Sequence, residues 1–143
     1  MFSLDRERTS RVTCSSEPWV AIVDDDIAVR SSLQRVLRME GMCVETFGAG
    51  EEFLARLERG SPVCLVLDVR LGAVTGFDLQ DRLLALGDVP PIIFITAHDE
   101  IPAARLASAA GTVGYLRKPF DIAALIALVR PWLWQNAPER AAG

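Results

Sequence analysis

Along this chain, short bursts of apolar residues alternate with longer stretches in which apolar positions recur every three or four residues. The bursts fall at 19–23, 43–47, 63–67, 91–95 and 112–116. They are apolar nearly throughout, the pattern of strands covered on both faces in a parallel sheet. Between them the longer period predicts helices. Asp26 caps the first, which runs to about Met39 with Val29, Leu33, Val36 and Leu37 on one face and Gly41 past its end. A short second covers 50–57, with Phe53, Leu54 and Leu57 inward, closed by Gly60 and Pro62. Thr75 caps a third through Leu86, stopped by Gly87; an alanine-rich fourth spans 99–109; Asp121 begins a fifth that reaches about Trp134. Strand and helix alternating in this way predict an α/β fold, a five-stranded parallel sheet, doubly wound with right-handed crossovers.

With 143 residues, half of them hydrophobic, the chain suits one domain with a full core. The expected organisation is a polar N-terminal tail over 1–18, a folded unit over 19–134 and a C-terminal tail over 135–143. A net charge of −4 argues against direct binding of nucleic acid or anionic lipid. The opening stretch lacks the apolar run of a secretory signal, and no later run is long enough to span a bilayer. Cys14, Cys43 and Cys64 form no CxxC pair, and with His98 as the single histidine they make no ordinary closed zinc site. They read as free thiols, consistent with a cytoplasmic protein.

In a doubly wound sheet, ligands sit beyond the carboxyl ends of the strands, where strand order reverses. The residues expected there are Asp24, Asp25 and Asp26 after the first strand, Asp68 after the third, Thr96 after the fourth and Lys118 after the fifth. Asp26 reads as a helix cap. Asp24, Asp25 and Asp68 brought together would repel unless a cation held them, and their hard oxygens favour Mg²⁺. The alternative is two acidic caps that never meet. Asp68 ends an apolar run, a placement that leaves it exposed at the mouth as a nucleophile. Mg²⁺ and Lys118 would then make attack on a phosphorylated donor feasible, with Thr96 either a hydroxyl donor or a turn residue. Of 15 basic residues only Lys118 is a lysine. A crowded site that admits only a compact ammonium is one reading, codon bias the other. Lys118-Pro119 is either a cis bond that aims the lysine or a trans proline opening the last helix.

Ile22-Val23-Asp24-Asp25-Asp26, Leu67-Asp68-Val69-Arg70-Leu71, Ile95-Thr96-Ala97 and Tyr115-Leu116-Arg117-Lys118-Pro119-Phe120 occur in this order over about 19–134. With this spacing the chain resembles the receiver domains of bacterial two-component response regulators, and through Glu100-Ile101-Pro102 those of the nitrogen-fixation type. The resemblance implies a flavodoxin-like (βα)₅ fold and a phosphoacceptor rather than an enzyme, beyond self-phosphorylation from a phosphodonor and autodephosphorylation with Mg²⁺. It makes Asp68 the acceptor, Asp24, Asp25, Asp68 and the Arg70 carbonyl the metal ligands, and Thr96 with Lys118 the phosphoryl-sensing pair. It implies that Lys118-Pro119 is cis and that Tyr115, with Thr96, is the switch. The implied partners are a histidine kinase or histidine phosphotransfer protein and a downstream effector, reached through the fourth helix, fifth strand and fifth helix.

The chain departs from that family at Gly72, where a proline is usual, which suggests a freer loop; Gly76 is retained. Arg70 and His98 sit two residues past site residues, where they either tune hydrolysis or are merely solvated. The last helix is apolar almost all round, so its outer face serves a partner or a homodimer, or else is covered by the N-terminal tail. Only 135–143 follow it, too few for a DNA-binding unit. Two other functions stay open. A degenerate receiver used only for docking would bind its partner equally well with Asp68→Ala. An aspartyl-phosphate phosphohydrolase would need an acid where Arg70 stands.

Overall fold

The computed structural model describes residues 17–97, 101–108 and 111–136. Five parallel strands, β1 (Trp19–Val23), β2 (Cys43–Phe47), β3 (Cys64–Asp68), β4 (Ile92–Thr96) and β5 (Thr112–Arg117), form one sheet in the order β2-β1-β3-β4-β5. The order reverses between β1 and β3, which opens a crevice at their carboxyl ends. Five helices connect and follow the strands: α1 (Ile27–Met39), α2 (Gly50–Arg56), α3 (Gly76–Leu86), α4 (Ala103–Ser108) and α5 (Ile122–Gln135). The expected α/β architecture is therefore the observed one.

Each strand carries a residue set for each face of the sheet, as the period of two requires. Ala21, Val23, Leu65, Leu67, Ile92 and Phe94 pack with Phe53 of α2, Leu79 and Leu83 of α3 and Leu106 of α4. Val20, Ile22, Cys64, Val66, Ile93 and Ile95 pack with Leu33 and Leu37 of α1 and Leu125 and Val129 of α5. The helix starts use the expected caps: Asp26 accepts from the Ala28 and Val29 N–H groups, Asp121 accepts from Ala123, and Thr75 forms a capping box with Asp78.

Several expectations are corrected. β3 and β4 each run one residue further than the apolar bursts, so Asp68 and Thr96 are the last residues of strands instead of the first of loops. Asp68 is accordingly 6% exposed and not open at a mouth. β5 contains a bulge at its second residue: Thr112 pairs with Ile92 and Gly114 with Ile93, so Val113 has no opposite number. After Asp68 the chain forms a hairpin in which Arg70 and Leu71 pair antiparallel with Thr75 and Val74, in place of a loose loop. The fourth helix begins at Ala103, and the fifth extends to Gln135, past the expected boundary at 134. Cys64 is a free, buried thiol, but Cys43 is disulfide-bonded, so the reading of three free thiols does not hold. Most apolar residues of α5, including Trp132, pack on the sheet, whereas Trp134 stays 71% exposed. Residues 1–16 of the expected 1–18 tail, Cys14 among them, together with His98, Glu100 and residues 137–143, lie outside the described residues. No helix among the described residues is long and apolar enough to cross a membrane.

Candidate functional site

The crevice collects carboxylates because β1 and β3 are neighbours, Asp24 and Asp25 directly follow β1, and β3 ends in Asp68. Asp24 extends the pairing of β1 by one step, its N–H donating to the Phe47 carbonyl at 3.1 Å, and it is fully buried. Its Oδ1 accepts from the Asp26 N–H at 2.9 Å. Asp68 pairs with Ile95 at the end of β3, and its Oδ1 accepts from the Arg70 N–H at 3.2 Å. Asp25 is exposed at the rim. One carboxylate oxygen from each of Asp24, Asp25 and Asp68 lies within 4.8 Å of the others. The two acidic segments therefore meet.

Lys118 enters the same cluster from the end of β5. Its Nζ donates to Asp24 Oδ2 at 3.0 Å and to Asp68 Oδ2 at 3.3 Å. The Lys118-Pro119 peptide is cis, and the Lys118 N–H donates to the Thr96 carbonyl at 2.7 Å. Burial and the neighbouring Asp24 charge push the Asp68 carboxyl up to about 6, although the Arg70 N–H and the Lys118 ammonium pull it back. Burial works against the Lys118 ammonium, but its hydrogen bond to Asp24 and the charges of Asp68 and Asp24 prevail and hold its pKa above the ordinary value.

The site straddles the sheet edge. Asp68 is in phase with Cys64 and Val66, on the face covered by α1 and α5. Thr96 is in phase with Ile92 and Phe94, on the opposite face. Tyr115 pairs with Phe94 and packs on that second face, partly buried, while Thr96 is fully buried. The charged groups and the Thr96–Tyr115 pair thus lie on opposite sides, joined through the backbone bond between Lys118 and Thr96. Arg70 is exposed as a side chain and reaches the site through its peptide group.

Sequence reasoning missed Arg30. Its Nη1 donates to the carbonyl of Asp24 at 2.7 Å, tying α1 to the end of β1. The available signal was its place in the first turn of a helix, since helical side chains lean toward the N-terminus and here return over the strand end.

Hard oxygens of buried Asp24 and Asp68 and of exposed Asp25, gathered within 4.8 Å of one another, form a donor set that fits a divalent cation of the Mg²⁺ type.

The sequence profile of the response regulator receiver domain matches residues 20–130. The response regulator protein TodT of Pseudomonas putida is 40% identical over 121 residues, which cover 85% of this chain and 53% of TodT. The transcriptional regulatory protein FixJ of Azorhizobium caulinodans is 38% identical over 123 residues, covering 84% of this chain and 57% of FixJ. A crystal structure of a response regulator receiver protein from Burkholderia phymatum is 40% identical and superposes with a TM-score of 0.71, covering 85% of this chain and 99% of the other. The chain spans about half the length of the curated relatives it matches. By its matched profile, its relatives and its 2-1-3-4-5 sheet, the chain belongs to the response regulator receiver domain family, the phosphoacceptor module of bacterial two-component signalling.

Proposed function

We propose that Asp68 accepts a phosphoryl group from a histidine kinase or a histidine phosphotransfer protein, with Mg²⁺ held by Asp24, Asp25, Asp68 and the backbone carbonyl of Arg70. The observation that carries this reading is the convergence of three carboxylates and the Lys118 ammonium on one strand-end crevice.

A carboxylate oxygen of Asp68 attacks the phosphorus of a phosphorylated imidazole; the P–O bond forms as the P–N bond breaks, and the imidazole leaves with the bonding pair. Mg²⁺, when bound, neutralises charge on the phosphoryl oxygens and on the gathered carboxylates. Lys118 exchanges part of its contact with Asp68 for a phosphoryl oxygen. Thr96 supplies a hydroxyl donor to the phosphoryl group from the other face, and Tyr115 follows it inward. The change biases two packings of α4, β5 and α5, and that face passes the signal to a downstream effector or a second copy of the chain. Attack of water on phosphorus then restores the carboxylate and releases phosphate, so the chain carries the group and does not turn over a substrate. The receiver unit is taken as 19–134, working in the cytoplasm without direct contact to nucleic acid or membrane. A phosphohydrolase reading gains no support, because at position 70 a peptide N–H, and not an acid, faces Asp68.

Incubation with acetyl phosphate or phosphoramidate and Mg²⁺ should add one phosphoryl group by mass, and Asp68→Asn should abolish the addition. An unlabelled wild-type protein under these conditions would remove the proposal.

A further inference from the structure

We infer that Arg30 is a positioning residue for the cation pocket: by holding the Asp24 carbonyl it sets the peptide plane from which Asp25 reaches the pocket. The inference rests on the cation site proposed above.

The three carboxylates are held unequally. Asp24 Oδ1 accepts from the Asp26 N–H at 2.9 Å, and its Oδ2 from Lys118 Nζ at 3.0 Å. Asp68 Oδ1 accepts from the Arg70 N–H at 3.2 Å, and its Oδ2 from Lys118 Nζ at 3.3 Å. The exposed Asp25 side chain has no hydrogen-bond partner among the described residues, yet one of its oxygens stands within 4.8 Å of the other two carboxylates. Its place is therefore set by the backbone that carries it.

That backbone is fixed on either side of Asp25. A peptide unit is planar, so a hydrogen bond to its carbonyl or from its N–H restrains the whole unit. The Asp24 N–H donates to the Phe47 carbonyl at 3.1 Å, and the Asp24 carbonyl accepts from Arg30 Nη1 at 2.7 Å, which restrains the units before and after Asp24. The bond from the Asp26 N–H to Asp24 Oδ1 restrains the unit after Asp25. Asp25 thus lies between two held peptide planes, and Arg30 holds the first. The Arg30 N–H also donates to the Asp26 carbonyl at 3.0 Å, so a single residue of α1 is bonded to the chain on both sides of Asp25.

The guanidinium reaches the Asp24 carbonyl across Gly48, where a β-carbon would stand 2.9 Å from Nη1 and 3.3 Å from Cζ. Arg30 forms no ion pair with a carboxylate among the described residues. Its positive charge opposes a bound cation, so charge and positioning predict opposite signs. If only charge mattered, removing Arg30 would tighten cation binding. If Arg30 orients Asp25, removing it weakens binding.

Titration with Mn²⁺ alone, followed by loss of the free-ion electron paramagnetic resonance signal, tests this in the wild type, Arg30→Ala and Gly48→Ala, each at a temperature where circular dichroism shows it folded. We expect Arg30→Ala to bind about tenfold more weakly, as when a group that orients a ligand is lost. Gly48→Ala keeps the charge but displaces the guanidinium, and should weaken binding in the same direction. The Mg²⁺ concentration for half-maximal phosphorylation by phosphoramidate should rise in both variants. Equal or tighter Mn²⁺ binding by Arg30→Ala would overturn the inference and leave the cation site standing. A lowered melting temperature with unchanged Mn²⁺ affinity would also overturn it, assigning Arg30 a purely structural role. Absence of Mn²⁺ binding in the wild type would overturn the underlying reading of the site. If Arg30→Ala fails to fold, Gly48→Ala decides the outcome by the same comparison.

Discussion

Arg30 lies across Gly48, its Nη1 2.9 Å from where a β-carbon at that position would sit. The same nitrogen donates to the Asp24 carbonyl at 2.7 Å, so the absence of a side chain at 48 leaves Arg30 free to hold the end of β1. Gly48→Ala should displace the guanidinium and cost about 1.5–3 kcal/mol, the worth of a hydrogen bond made by a charged group. Arg30→Ala should cost about the same. In a double-mutant cycle by urea denaturation, the double variant should lose little more than either single one; full additivity would show that the two residues act independently.

The raised Asp68 pKa sets a pH dependence for the protein in EDTA. The folded-state value of about 6 exceeds the ordinary 3.8, so the fold binds this proton more tightly than the unfolded chain does. That contribution to stability is fully present below about pH 4 and is lost as pH rises through about 6. Asp68→Asn, which removes the titration, should gain on the wild type across that window and be more stable by on the order of 1 kcal/mol at pH 7. Denaturant midpoints of the two proteins from pH 4 to 8 check this; a constant difference would contradict it.

Lys118 offsets two buried carboxylates at once, so its removal should be felt first by the fold. In EDTA at pH 7, Lys118→Ala should destabilise by about 2 kcal/mol, less than for a fully buried pair because the lysine side chain is 21% exposed. It should also move the Asp68 titration to higher pH. Millimolar Mg²⁺ should restore most of the loss in thermal melts, whereas Lys118→Arg should not match the wild type, since a planar fork does not replace a compact ammonium.

The pair Glu45–Arg56 is a separate structural feature. Arg56 Nε and Nη2 meet the two Glu45 oxygens at 2.9 and 3.1 Å, and its guanidinium stacks 4.1 Å from the Trp19 ring centroid. Arg56→Ala leaves a buried carboxylate uncompensated and should cost about 3–5 kcal/mol. Because none of these residues belongs to the acidic crevice, Mn²⁺ affinity at a temperature where the variant is folded should stay at the wild-type value. A parallel loss of both would tie the pair to the site.

Much of this protein is legible from residues alone. Apolar bursts and capping residues such as Asp26, Thr75 and Asp121 mark the five strand–helix units. Helical crossovers keep the strands parallel, so the carboxyl ends that carry Asp24, Asp25, Asp68, Thr96 and Lys118 lie along one edge of the sheet, while the adjacency of β1 and β3 that makes the carboxylates meet belongs to the tertiary structure. What the chain alone leaves undecided is register. Periodicity tells which residues alternate but not where pairing stops, and only the neighbouring strand shows that Asp68 and Thr96 belong inside β3 and β4 and are buried there. The bulge at Val113, which leaves Thr112 and Tyr115 on one face although three residues apart, depends on the same partner strand. The hairpin after Asp68 depends on the pairing of Arg70 and Leu71 with Thr75 and Val74, and the reach of Arg30 on the packing of α1 beside β1. Local sequence thus determined the elements and the chemical groups at their ends, while backbone pairing between distant segments decided which way each group points, because hydrogen-bond register is a property of two strands and is written in neither one.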